Sequence, residues 1–160
     1  MGCRRAMSRA EGPISQLIEA ARMARNNGYA PYSRFTVGAA VRLTDGEIIA
    51  GANFENASLG LSLCAETVAL AAANAQGRLA DVEAIAVTGG PADALDGPVI
   101  TPCGRCRQIL NEAEQVAGRS ISIYCADGKG STVVEHSVAA LLPFAFNPND
   151  LGTTSHRKAR

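Results

Sequence analysis

Cys64-Ala65-Glu66 and Pro102-Cys103-Gly104-Arg105-Cys106 are the two stretches around which the rest of the chain can be arranged. They place three thiols and one carboxylate in two short segments, each where a helix is expected to begin. A helix N-terminus favours thiolates, because its free N–H groups and dipole stabilise negative charge. The Cys103/Cys106 C-x-x-C pair closes on one metal ion with little chain to order, and Cys64 offers a third sulfur from a separate helix start. Three protein ligands leave the fourth tetrahedral position for water, the arrangement of a catalytic zinc. Zinc brings the pKa of such a water to roughly 7. Glu66, two residues after Cys64, can lean over that position without ligating, as a general acid/base. This chemistry suits an amidine-like carbon that loses an amine.

Other readings of the same residues stay open at this level. A lone C-x-x-C is equally a redox pair, and a structural zinc would normally show a fourth Cys or His. Cys125 falls in a strand and reads as core, while Cys3, in the basic lead, reads as neither ligand nor core. His136 and His156, the two histidines, lie in no metal-spaced cluster.

Composition narrows the class. The 160 residues are 47% hydrophobic and 19% charged, enough apolar surface for a real core in one domain. Fifteen basic and fifteen acidic residues cancel, and only 4% of residues are aromatic, with no Trp. Neither a basic excess nor a base-stacking platform therefore points to nucleic acid. No apolar run approaches the ~20 residues of a membrane span. Arg4, Arg5 and Arg9 are followed by no apolar segment of the secretory kind, so a cytoplasmic protein with reduced thiols is expected.

In chain order, residues 1–12 read as a flexible basic lead, 13–151 as one domain and 152–160 as a flexible basic tail. Pro13 opens a helix whose apolar face is Ile14, Leu17, Ile18, Ala21 and Ala24, stopped by Asn26-Asn27-Gly28. Residues 35–43 (FTVGAAVRL) and 47–52 (EIIAGA) form a hairpin across Thr44-Asp45-Gly46. Asn53 to Leu61 is a polar loop. Ser62 is the expected N-cap of an alanine-rich helix over 63–75, with Gly77 beyond its end. A third strand over 82–88 ends at Gly89-Gly90-Pro91. A helix over 103–117 stops at Gly118, and strands over 121–125 and 131–135 precede a short helix over 137–142. The order predicts an α/β fold, three layers α/β/α, with a mixed five-stranded sheet.

Four segments together resemble the cytidine deaminase family, in its small homotetrameric form with three zinc-binding cysteines. They are Pro31-Tyr32-Ser33-Arg34-Phe35-x-Val37-Gly38-Ala39-Ala40, Asn53-Phe54-Glu55-Asn56-Ala57-Ser58, Cys64-Ala65-Glu66 and Pro102-Cys103-Gly104-Arg105-Cys106-Arg107-Gln108. The likeness spans about 13–151 and includes Leu141-Leu142-Pro143 and Phe146. It implies one zinc ion (Zn2+) per subunit on Cys64, Cys103 and Cys106, with Glu66 carrying protons to N3 and then to the leaving amine. It implies substrate contacts from Phe35, Asn53, Glu55, Ala57, the Ala65 amide and the Thr101 carbonyl. Asn53 and Glu55 would hold the ribose 3′-hydroxyl, and Phe146 would reach the base from a neighbouring subunit. The implied reaction is hydrolysis of cytidine and 2′-deoxycytidine to the uridines and ammonia, as in pyrimidine salvage.

Two departures from the family pattern matter. The Cys-Ala-Glu motif is commonly followed by Arg, which offsets the sulfur charge, and here the residue is Thr67. Arg107 and Arg105 are the sequence candidates to take over that tuning. Leu59 stands where Tyr is often found, which opens the sugar's 5′ side to other substrates. N4-substituted cytosines and blasticidin-like compounds are the alternative substrates, and a nucleic-acid-binding zinc module is the reading from another class.

Overall fold

The computed structural model describes residues 6–8, 12–94 and 96–152. Its sheet has six strands: β1 (Ala6–Ser8), β2 (Phe35–Leu43), β3 (Ile48–Ala52), β4 (Val82–Pro91), β5 (Ser122–Ala126) and β6 (Thr132–His136), in the order β1-β6-β5-β4-β2-β3. The helices are α1 (Pro13–Arg25), α2 (Ala65–Ala75), α3 (Gly104–Ala117) and the short α4 (Val138–Leu141). β4 and β5 pair in parallel across the α3 crossover, and the other neighbours are antiparallel.

Side-chain alternation along the central strands builds two cores. Ala39, Val41 and Leu43 of β2 and Ile85 and Val87 of β4 face α2 and α3. Ala40, Ala84 and Ala86 face α1, against Leu17, Ile18 and Ala21. The α1 face is lined with small residues because the helix lies nearly on the backbone. A Cβ added at Gly38 would stand 1.9 Å from the Ala21 carbonyl oxygen. The three-layer fold and its five mixed strands are those expected.

The differences have local physical causes. Residues 6–8 of the lead add the sixth strand, Ala6 opposite Val134, covering the free edge of β6. The rest of that lead before Gly12, and the tail from residue 153, lie outside the described residues. The third strand does not end at residue 88 but runs on through Gly89 and Gly90, opposite Val37 and Thr36. They serve close packing: a Cβ at Gly89 would sit 2.6 Å from Ile100 Cδ1. Helix α2 begins two residues later than expected, with Cys64 rather than Ser62 at its N-cap. Ser62 Oγ instead accepts the Asn56 N–H at 3.0 Å.

Candidate active site and metal centre

Both sulfur-bearing segments end in helix starts. Cys64 is the N-cap of α2 and Cys103 the N-cap of α3, each with extended backbone and no capping bond from its side chain. The sulfurs are thus free to face one another instead of their own helices. Cys106 lies in the first turn of α3 and is fully buried. The three Sγ atoms lie within 4.8 Å of one another, and Cys64 and Cys103 are 3.8 Å apart. Tetrahedral zinc at Zn–S ≈ 2.3 Å requires a sulfur–sulfur edge of about 3.8 Å. The donor set fits a zinc ion by both chemistry and spacing.

The electrostatics of the sulfurs point the same way. A hydrogen bond from Cys106 holds the Cys64 thiol down at about 6 against the opposing effect of burial, with help from Cys103 and the charge of Arg105. The same bond and its burial push Cys106 up. Three thiols this close favour losing their protons to a divalent cation. Cys125 is buried in β5 and burial raises it to about 12, as fits a core thiol outside the cluster.

Glu66, in the first turn of α2, is 4% exposed. Burial raises its carboxyl above the ordinary range, and the Cys64 charge raises it further. A carboxyl group poised to hold a proton beside three sulfurs is what a general acid/base needs.

Phe35, Asn53, Glu55, Ala65 and Thr101 line a cavity of about 490 Å³ with Glu66, Cys64 and Cys103. The polar pair is held before any ligand binds. Asn53 Oδ1 accepts the Val37 N–H and its Nδ2 donates to the Phe35 carbonyl, both at 2.9 Å. Glu55 Oε2 accepts the N–H groups of Tyr32 (2.9 Å) and Ser33 (3.2 Å). A hydrogen bond from Ser33, followed by the two amides, keeps this carboxyl below its ordinary value. Both side chains are thus anchored to the protein while lining the cavity. Val37, Leu63 and Ile100 supply apolar walls that were not singled out from sequence. Their nearness to the motifs was the signal available.

Three of the expected residues lie outside this cavity, Phe146 as its expected role toward a neighbouring subunit requires. Ala57 is exposed and outside the cavity, because the Asn56 Oδ1 bond to the Ser58 N–H turns the loop outward there. Phe146 does not line this chain's own cavity. It is 56% exposed, and its carbonyl is held by Gln108 and Asn111 of α3. Arg107 is directed away from the sulfurs: its guanidinium donates to the Pro102 and Leu141 carbonyls (2.8 and 3.0 Å) and to Thr101 Oγ1. It braces the segment that delivers Cys103. Arg105 donates to the Ser62 carbonyl at 3.3 Å, and its charge acts on Cys64. Sequence reasoning missed the contact of Thr67 Oγ1 with Cys106 Sγ, 3.9 Å apart.

Residues 13–119 match the family described as "Cytidine and deoxycytidylate deaminase zinc-binding region". The curated cytidine deaminase of Halalkalibacterium halodurans is 44% identical over 135 residues, covering 84% of this chain and 95% of the relative. That of Mycobacterium tuberculosis is 38% identical over 136 residues, covering 82% and 87%. The crystal structure of cytidine deaminase from Burkholderia pseudomallei superposes with a TM-score of 0.70 at 42% identity, over 82% of this chain and 97% of that one. The chain belongs to the cytidine and deoxycytidylate deaminase family, and Cys64, Cys103 and Cys106 form its zinc-binding group.

Proposed function

We propose that the protein hydrolyses unphosphorylated cytosine nucleosides, cytidine and 2′-deoxycytidine, to the corresponding uridines with release of ammonia. The observation that carries this is the buried Glu66 carboxyl beside three sulfurs spaced for one tetrahedral ion. Zinc bound there supplies a Lewis acid that makes a water acidic near neutral pH. Glu66 takes a proton from the attacking water and delivers it to N3 of the pyrimidine. A second transfer through Glu66 places a proton on N4, the C4–N4 bond breaks and ammonia leaves. The Ala65 N–H, without an intrahelical acceptor at the start of α2, faces the base carbonyl. The Thr101 carbonyl receives the departing ammonia, and Phe35 packs on the base. Asn53 and Glu55 hold the ribose hydroxyl, discriminating against ligands that would leave them unpaired, at about 1–3 kcal/mol for each.

The walls of the cavity favour a nucleoside over a nucleotide. Among the described residues they include Glu55 and Glu66 but no Lys, Arg or His, so a phosphate would meet like charge and no partner. The same lack of cations disfavours nucleic acid. The working unit is taken as residues 13–151 assembled as a homotetramer, with Phe146 of each chain serving a neighbouring site. Its large exposed rings, Phe144 at 97% and Phe146 at 56%, fit a surface meant to be covered. Among the described residues no helix is long and apolar enough to cross a membrane. Free metal-binding cysteines fit the reducing cytoplasm.

The deciding experiment is an ultraviolet absorbance assay with ammonia detection across cytidine, deoxycytidine, cytosine, CMP and N4-substituted cytidines. Zinc-loaded protein that leaves cytidine untouched would overturn the proposal. Turnover confined to the N4-substituted compounds would move the substrate to a bulkier cytosine nucleoside.

A further inference from the structure

Three thiolates on a divalent cation carry a net charge of −1, which weakens its pull on a fourth ligand. The sulfurs differ in how that charge can be met. Cys103 is exposed and Cys64 half-buried, and the charge of Arg105 acts on Cys64. Cys106 is 0% exposed, so water does not reach its sulfur. Arg107, next in sequence, has each guanidinium nitrogen engaged, on Pro102, Leu141 and Thr101. Glu66 also interacts with Cys106, but its proton is the one the reaction moves, so it is not a standing donor to that sulfur. Thr67, in the same turn of α2 as Glu66, has its Oγ1 3.9 Å from Cys106 Sγ. Once Cys106 is a metal-bound thiolate it has no proton to give, so the hydroxyl is the donor of that pair.

We propose that Thr67 is a positioning residue for the metal centre, its hydroxyl donating to the buried Cys106 sulfur and drawing off thiolate charge in place of a cation. The inference rests on the three-sulfur metal site and deepens the proposed reaction, because a less electron-rich sulfur leaves the ion a stronger Lewis acid. Groups that hydrogen-bond to metal ligands set ligand basicity in this way. The hydroxyl's other local option is a carbonyl one turn back, at Leu63 or Cys64. Those two oxygens already accept the N–H groups of Phe54 and Val68.

The test uses the full chain loaded with cobalt(II), whose sulfur-to-metal charge-transfer band reports the electron density on the thiolates. Thr67→Val keeps the shape and removes the donor; Thr67→Ser keeps the donor and removes the methyl. The expected result is a shift of the band to lower energy in Thr67→Val and a parent-like band in Thr67→Ser. In zinc-loaded protein, kcat/KM for cytidine should fall by about ten- to a hundredfold in Thr67→Val and be restored in Thr67→Ser. If Thr67→Val fails to fold, Thr67→Ala takes its place with the same expectation. An unmoved band in the donor-less variant overturns the proposal. So does an equal shift in Thr67→Ser, which would assign the effect to packing. The cobalt band is read without substrate, so a parent protein inactive on cytidine would refute the proposed function while leaving this test intact.

Discussion

Adding one methyl group at Gly51 is expected to disable the site from behind. Gly51 is buried in β3, opposite Ala39 of β2, and its missing side chain is where α2 rests on the sheet. A Cβ there would stand 2.6 Å from the Ala69 nitrogen, 2.9 Å from the Ala65 carbonyl oxygen and 3.1 Å from the Ala69 Cα. All three are backbone atoms, so no rotamer relieves the clash. The closest contact is about 0.8 Å short of the 3.4 Å at which ordinary contact begins. Helix α2 must lift by about that amount, and Ala65 sits between Cys64 and Glu66. Zinc ligands tolerate about ±0.2 Å, and a misplacement near 1 Å can cost about a hundredfold in rate. Overpacking of this kind costs about 1–3 kcal/mol. Gly51→Ala should therefore fold with a melting temperature lowered by several degrees. It should also bind zinc measurably more weakly in chelator competition and lose about a hundredfold in kcat/KM. Ala69→Gly should not rescue it, since the obstacle is main chain. A variant with full zinc affinity and kcat/KM within about twofold of the parent would refute this placement of α2 on β3.

Glu66→Gln should retain stoichiometric zinc by metal analysis and lose about 10²–10⁴-fold in kcat, because the amide cannot carry a proton; zinc loss instead would make Glu66 a ligand. Cys125→Ala should leave zinc content unchanged and lower stability by about 0.5–3 kcal/mol in denaturant titration, as fits a core thiol. The Glu55 carboxyl lies below its ordinary value of 4.5, so its hold on the Tyr32–Ser33 loop is fully present above that value and is lost as pH falls through the depressed one. KM for cytidine should therefore stay free of a Glu55 contribution from pH 5 to 8, as estimated from ordinary carboxylate titration, and rise only in more acid solution. Glu55→Gln should remove that acid limb, and a KM titration surviving in it would assign the limb to another group.

Much of this site was legible because its chemistry is local. Cys64-Ala65-Glu66 and the Cys103/Cys106 pair announce helix starts, thiolates and a proton carrier by residue type and spacing alone. The strand over 35–43, its Asp45-Gly46 turn and the Gly118 stop are set by alternation and by backbone conformations that glycine adopts readily, with φ of 91° at Gly46 and 63° at Gly118. What local pattern could not give is everything that depends on segments far apart in the chain. Gly89-Gly90 mark the expected end of a strand, yet pairing with β2 and packing against Ile100 carry the strand through them. Arg107 is close in sequence to two ligands yet spends its donors on Pro102, Leu141 and Thr101. Thr67 looked like a missing charge and instead lies against the one fully buried sulfur of the cluster. Spacing can say that three sulfurs are available. Only the crossing of α2 over β3 and of α3 over β4 brings them to a tetrahedral edge, because that distance is set by side-chain volumes between layers and not by any periodicity along the chain.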